Sequence, residues 1–195
     1  MAMRMQERKL TPAARAALDA AGRLFYERGI TAVGVEAVAA EAGVTKKTVY
    51  DQFKSKSALV CAYLAERDEN YRTLVDTWIR EHPDTSPLVA VFDALDEWLR
   101  TRGPKGCAFV HAHAELLSEP DHPAHEVIRG EKDWLLTTFT TLARDAGLAE
   151  PEAIGTRMSV LHEGAMVLAS TTDLPDVVAE ARRAAEAVVR DAGEQ

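Results

Sequence analysis

The chain has 195 residues, 47% of them hydrophobic and 28% charged, a mixture that can bury a core in one or two domains and excludes disordered and collagen-like classes. The net charge of −8 is unevenly divided: residues 1–60 carry 10 Lys and Arg against 6 Asp and Glu, whereas residues 61–195 carry 13 against 25. A basic head on an acidic body points to a nucleic-acid-binding end joined to a part that binds something else. No apolar run approaches the roughly 18–20 residues that cross a bilayer, and even Leu88–Leu95 is interrupted by Asp93. The N-terminus has basic residues but no apolar stretch behind them, so a signal peptide or anchor is not expected and the reading is a cytoplasmic protein without a membrane partner. Cys61 and Cys107 are too few for a disulfide scaffold or a Cys-rich zinc module, and read as buried thiols.

Apolar residues recur at three- and four-residue steps and no stretch sustains strict alternation, which predicts an all-α fold of about nine helices. Residues 1–10 are expected to be a flexible tail. The first helix opens with Thr11 as N-cap and Pro12 at its first position, carries Ala14, Leu18, Ala21 and Phe25 on one face, and ends at Gly29. Two short helices, Val35–Ala42 and Lys46–Phe53, are split by Gly43, and a long one runs from Lys56 to Glu81. The cluster from His82 to Pro87 stops it and starts another near Leu88. Beyond the break at Arg102–Gly106, a short helix from Cys107 to about Ser118 is followed by Pro123–Ala146, Pro151–Ser170 and Leu174–Ala192.

Residues 36–53 read as a helix-turn-helix. Gly43 stands where the tight turn needs a left-handed backbone, and Thr45 is placed to cap the second helix. On that helix Val49 and Phe53 share one face, met by Val38 and Val44, while Lys47 and Asp51 point away from Val49 with Thr48 and Tyr50 flanking them. One face is thus pinned to a miniature core and the other offers donors and acceptors to base edges, with Lys54 and Lys56 as a second cationic edge for a DNA backbone.

Residues 11–59, above all Ala39-x-x-Ala42-Gly43-Val44-Thr45-Lys46-x-Thr48-Val49-Tyr50-x-x-Phe53-x-Ser55-Lys56-x-x-Leu59, resemble the DNA-binding domain of TetR-family transcriptional regulators. The resemblance implies a DNA-binding domain at 11–55, followed at 56–195 by a helical domain that binds a small effector and forms a homodimer on a double-stranded DNA operator. It implies that Lys46, Thr48, Tyr50 and Lys56 touch phosphates or neighbouring bases, and that Lys47, Asp51 and Gln52 fill the slots that read sequence. Val33-Gly34 departs from the usual pair of hydroxyl residues, so backbone alone must cap the second helix. Asp51 is another departure; it accepts from a cytosine amino group or restrains Lys47 by a salt bridge.

In the body of the chain, Ile154, Met158, Leu161, Ala165 and Leu168 form one apolar stripe and Val178, Ala181, Ala185 and Val188 a second. Either they face the chain's own core or, as the resemblance implies, they make the dimer interface. For the effector pocket the resemblance points to the central helices, where Trp98, Phe109, His113, Trp134, His162 and Met166 carry large or hydrogen-bonding side chains. A small-molecule-released repressor on a pseudo-palindromic operator is the expected function. The alternatives are a regulator without an effector, or a metal sensor using the His-rich 111–162 region with Cys107 and Glu115. His111 and His113 are about 200° apart around a helix, which disfavours the metal. No cofactor is implied, and Walker A, Gly-x-Gly-x-x-Gly, His-Glu-x-x-His and Gly-x-Ser-x-Gly signatures are absent, so no enzyme is expected.

Overall fold

The computed structural model describes residues 10–193, so most of the expected tail lies outside the described residues. Within them the chain forms nine helices and no strand: α1 (Pro12–Arg28), α2 (Val35–Glu41), α3 (Lys46–Phe53), α4 (Lys56–Glu81), α5 (Pro87–Thr101), α6 (Ala108–Glu115), α7 (Ala124–Asp145), α8 (Pro151–Thr171) and α9 (Val177–Gly193). No helix among these residues is long and apolar enough to cross a membrane.

Local chemistry sets most boundaries. The Thr11 hydroxyl accepts from the Ala14 N–H at 3.2 Å, and Pro12 occupies a position that needs no donor. Ser55 caps α4 in the same way, accepting from Ala58 N–H at 3.0 Å. Two expectations need correction. The helix after Cys107 ends at Glu115, not near Ser118, and the chain continues in turns closed by Glu119 N–H to Leu116 O and His122 N–H to Glu119 O. The last helix starts at Val177, not Leu174, because Pro175 disfavours helical backbone at Leu174 and Asp176 is left-handed at φ 56°.

α1 to α3 pack around Ala14, Leu18, Phe25, Val38, Val49 and Phe53, and α4 joins them through Leu59, Val60 and Tyr63, whose ring meets Phe25 edge-on at 5.8 Å. The second half of α4, at Tyr71 and Val75, packs instead on α5 and α7, so a single helix belongs to both ends of the molecule. α5 is buried along most of its length, and α7, α8 and α9 close the bundle around it.

α7 and α8 approach closely at Gly155. A methyl group there would lie 2.2 Å from Thr140 Oγ1 and 3.0 and 3.1 Å from its N and Cα, where backbone cannot yield easily. Gly155→Ala is therefore expected to destabilise the fold by about 1–2 kcal/mol, overpacking outweighing the helix-propensity gain. Thermal melting checks this.

Candidate functional site

The head carries the expected capping chemistry. Gly43 sits at φ 66°, and Thr45 Oγ1 accepts from the Thr48 N–H at 3.1 Å. The cap of α2 is Gly34 with no side-chain bond. On α3, Val49 and Phe53 are buried against the head, whereas Lys46, Lys47, Tyr50, Asp51, Gln52 and Lys54 are exposed and Thr48 and Lys56 half-buried. Of the eight sequence-derived DNA residues, six lie on α3, Lys54 in the turn after it and Lys56 at the first position of α4.

Several are engaged in the free protein. Lys47 Nζ donates to Asp51 Oδ2 at 2.6 Å, so of the two roles open to Asp51 the salt bridge is made. Lys46 pairs with Glu36 of α2, and Lys54 donates to Asp51 O at 2.5 Å. These exposed pairs each contribute little, and a phosphate or base can displace them at low cost.

α6 links the head to the body. Glu115 at its end accepts from Ile30 N–H at 3.0 Å, from Thr31 N–H at 2.7 Å and from the Thr31 hydroxyl at 2.7 Å, holding the α1–α2 loop. Burial pushes its carboxyl up, but these donors outweigh it and keep it below the usual carboxylate range. Beside it the Tyr26 hydroxyl donates to Gly106 O at 3.0 Å and accepts from Lys105 N–H at 2.9 Å, and His111 stacks on the Tyr26 ring. The sequence carried no local signal for Glu115, whose partners lie 84 and 85 residues away.

The opposite side of α6 faces α7 across an open groove of about 550 Å³, walled by Phe109, Val110, Leu117 and Ile128, with His113 on its rim and Lys132 among its polar groups. The six residues expected to line one pocket do not share it. Phe109 and His113 are in this groove. Trp98, Trp134 and His162 instead surround the Tyr71 ring at 5.2, 6.1 and 5.9 Å, Trp98 and His162 buried and Trp134 half-buried against the core. Met166 is buried on α8 beside Gly106. The reason is packing: large side chains on central helices fill the core before they line a cavity.

A polar chain runs inward from the groove. The Tyr71 hydroxyl and His162 Nε2 are 2.6 Å apart. Burial keeps Tyr71 protonated and His162 neutral, which assigns the hydroxyl as donor and leaves the ring proton on Nδ1, 3.7 Å from Glu163 Oε1. Lys132 Nζ donates to both Glu163 oxygens at 2.8 and 2.9 Å, lies 3.1 Å from Glu131 Oε2 and donates to Cys107 Sγ at 3.5 Å. Burial alone would raise Glu163, yet the His162 ring and the Lys132 ammonium hold it at about 2. Burial raises Glu131 to about 7 against the pull of Lys132.

The pH consequence has two signs. Glu163 is depressed, so its contribution is present above the ordinary carboxylate pKa and is lost as pH falls toward 2. Glu131 is raised, so its contribution is present below about pH 4.5 and is lost as pH rises through about 7. Glu131→Gln, which stays neutral, is therefore expected to flatten the fall in melting temperature between pH 5 and 8, a check by thermal melts across that range.

The histidines do not gather. His82 stacks on Trp78, His111 on Tyr26, His113 faces His125, and His162 is buried with Tyr71. No group of three or more His, Cys, Asp or Glu among the described residues can hold a metal ion, and Glu115 is already committed to Ile30 and Thr31.

The expected dimer stripes also need correction. Ile154, Met158, Ala165, Val178, Ala181 and Ala185 are buried inside the single chain, where α8 and α9 pack on α5 and α7, so they face the chain's own core. Leu161 and Val188 are half-buried against that core, and only Leu168 stands exposed. The solvent-facing apolar residues are neighbours on the next face: Val160 (67% exposed), Val167, Leu168 and, in the α8–α9 loop, Leu174.

Residues 17–63 match the family described as bacterial regulatory proteins, tetR family. The fold superposes on SCO4454, a TetR-family transcriptional regulator from Streptomyces coelicolor, with a TM-score of 0.84 at 33% identity, covering 93% of this chain and 96% of the other. Regulatory protein TetR from Rhodobacter sphaeroides shares the fold at 21% identity and a TM-score of 0.74, over 92% and 98% of the two chains. The HTH-type transcriptional activator FasR of Mycolicibacterium smegmatis is 28% identical over 132 residues, 67% of this chain but only 59% of that relative's length. A capped helix-turn-helix on an all-helical body, matched over nearly its full length by a regulator one-third identical, makes this chain a member of the TetR family of transcriptional regulators.

Proposed function

We propose that the chain is a homodimeric, ligand-responsive repressor that works in the cytoplasm on a pseudo-palindromic operator. Residues 11–55 form its DNA-binding domain, and 56–195 its effector-binding and dimerisation domain. The observation that carries the DNA reading is α3 itself: Val49 and Phe53 are anchored while Lys47, Tyr50, Asp51 and Gln52 stand clear of tertiary packing, as groove readout requires. Lys46, Thr48, Tyr50, Lys54 and Lys56 take the backbone, and Lys47, Asp51 and Gln52 the bases.

Responsiveness is supported by α6, which meets the groove on one side and, through Glu115, the α1–α2 loop on the other. A ligand that prefers a displaced α6 disfavours the head position needed by the operator, and a coupling of about 1–3 kcal/mol weakens DNA binding roughly 5- to 150-fold. Repression follows if the bound dimer occludes a promoter. A relative named as an activator makes the opposite sign the second reading, and a promoter–reporter assay with and without the protein separates them.

The test of residue roles is binding to matched duplexes over a range of salt. Lys56→Ala is expected to weaken all sequences alike and to lower the salt slope by about 1. Lys47→Ala is expected to alter preference by about 1–3 kcal/mol at one base pair. A changed preference in Lys56→Ala would contradict its assignment to the backbone.

A further inference from the structure

The α6–α7 groove contains Lys132 and Arg129, and only one of these cations is already used. Lys132 is held by Glu163 and lies against Glu131, which spends its charge inside the protein. Arg129 is exposed and makes no hydrogen bond or ion pair with any described residue, although Asp133 lies one turn along the same lining. Around it the surface is apolar: Val110 is 40% exposed and Leu117 65%, and Phe109 stands behind them. These apolar residues lie on α6 and the turn after it.

We propose that this groove takes an apolar carboxylic acid, its hydrocarbon body against Phe109, Val110 and Leu117 and its carboxylate on the Arg129 guanidinium. The inference rests on reading the groove as the effector site and names the ligand class for it. A guanidinium forms paired, charge-assisted hydrogen bonds with a carboxylate. A neutral ligand of the same shape covers Arg129 without satisfying it, and an amine meets the like charge of Arg129. The opposing group is Asp133, whose carboxylate keeps the acid at the Arg129 end. A volume of about 550 Å³ suits a molecule of one ring and a short chain.

The test compares 4-butylbenzoate with 4-butylbenzyl alcohol, which share the apolar body and differ in the carboxylate, by calorimetry on the full chain. The acid is expected to bind about tenfold more tightly than the alcohol, and Arg129→Ala to reduce that ratio to about twofold or less while leaving the melting temperature unchanged. Val110→Asp is expected to weaken both compounds. Equal binding of acid and alcohol to the unaltered chain, or an undiminished preference in Arg129→Ala, overturns the ligand class; so does a Val110→Asp variant that becomes monomeric, which gives the groove to a second copy. A separate measurement adds 4-butylbenzoate to the protein bound to a selected duplex. If the acid binds through Arg129 but leaves DNA affinity unchanged, the effector reading fails while the carboxylate site stands.

Discussion

If the proposed dimer forms through the exposed apolar face of α8, Val160→Glu is expected to convert it to monomers that fold normally and bind a two-half-site duplex about 100-fold more weakly. The residue is 67% exposed in the single chain, so nothing in the monomer's core opposes a carboxylate there. In the proposed dimer the same carboxylate is buried opposite its symmetry mate, because a two-fold interface repeats each patch against itself. Val167, Leu168 and Leu174 extend the apolar surface on either side, with Gly164 allowing close approach. Sedimentation reads the assembly and circular dichroism reads the fold. A dimer that survives Val160→Glu moves the interface elsewhere; Met158→Glu is the contrast, a change inside the core that is expected to unfold the chain.

Lys132→Met is expected to cost about 1–3 kcal/mol, because its ammonium is the shared partner of Glu163 and the buried Glu131. Glu163 exists as a carboxylate in a mostly buried site because the ammonium sits 2.8 and 2.9 Å from its oxygens. Without that partner it must either take up a proton or draw water inward, and Glu131 loses the charge that opposes its own protonation. The double variant Lys132→Met with Glu163→Gln removes both charges and is expected to recover much of the loss, as paired deletion of a buried ion pair does. Denaturant unfolding of the single and double variants checks this, and equal losses in both would mean that the ion pair is not the cause.

The parts of the fold read correctly from sequence are those set by short-range chemistry. Thr11 with Pro12, Gly43 and Thr45 act within one helical turn, and each signal is complete in a few residues. The orientation of α8 was not legible. Its apolar residues run nearly all round, so a stripe through Ile154, Met158 and Leu161 and another through Val160, Gly164 and Val167 are equally good periodic patterns, and only the packed neighbours decide which is inside. The buried charge on α7 left a trace: Glu131 interrupts the stripe of Ile128, Leu135 and Phe139. Glu163, which shares Lys132 with it, is on another helix, and no spacing rule connects the two. Trp98, Trp134 and His162 do come together, but around Tyr71, whose position in the middle of α4 gave no hint of a shared cluster.

Selection of bound duplexes from a random pool by the 195-residue chain addresses operator reading most directly. Two copies of α3 on one dimer should enrich a pseudo-palindrome whose half-sites are separated to match successive major grooves, about 10 base pairs or a multiple between centres. Gln52→Ala or Lys47→Ala should shift the enriched half-site, since both side chains are exposed on the recognition face. Recovery of duplexes with no common sequence, or of the same half-site after both substitutions, would contradict sequence readout by α3.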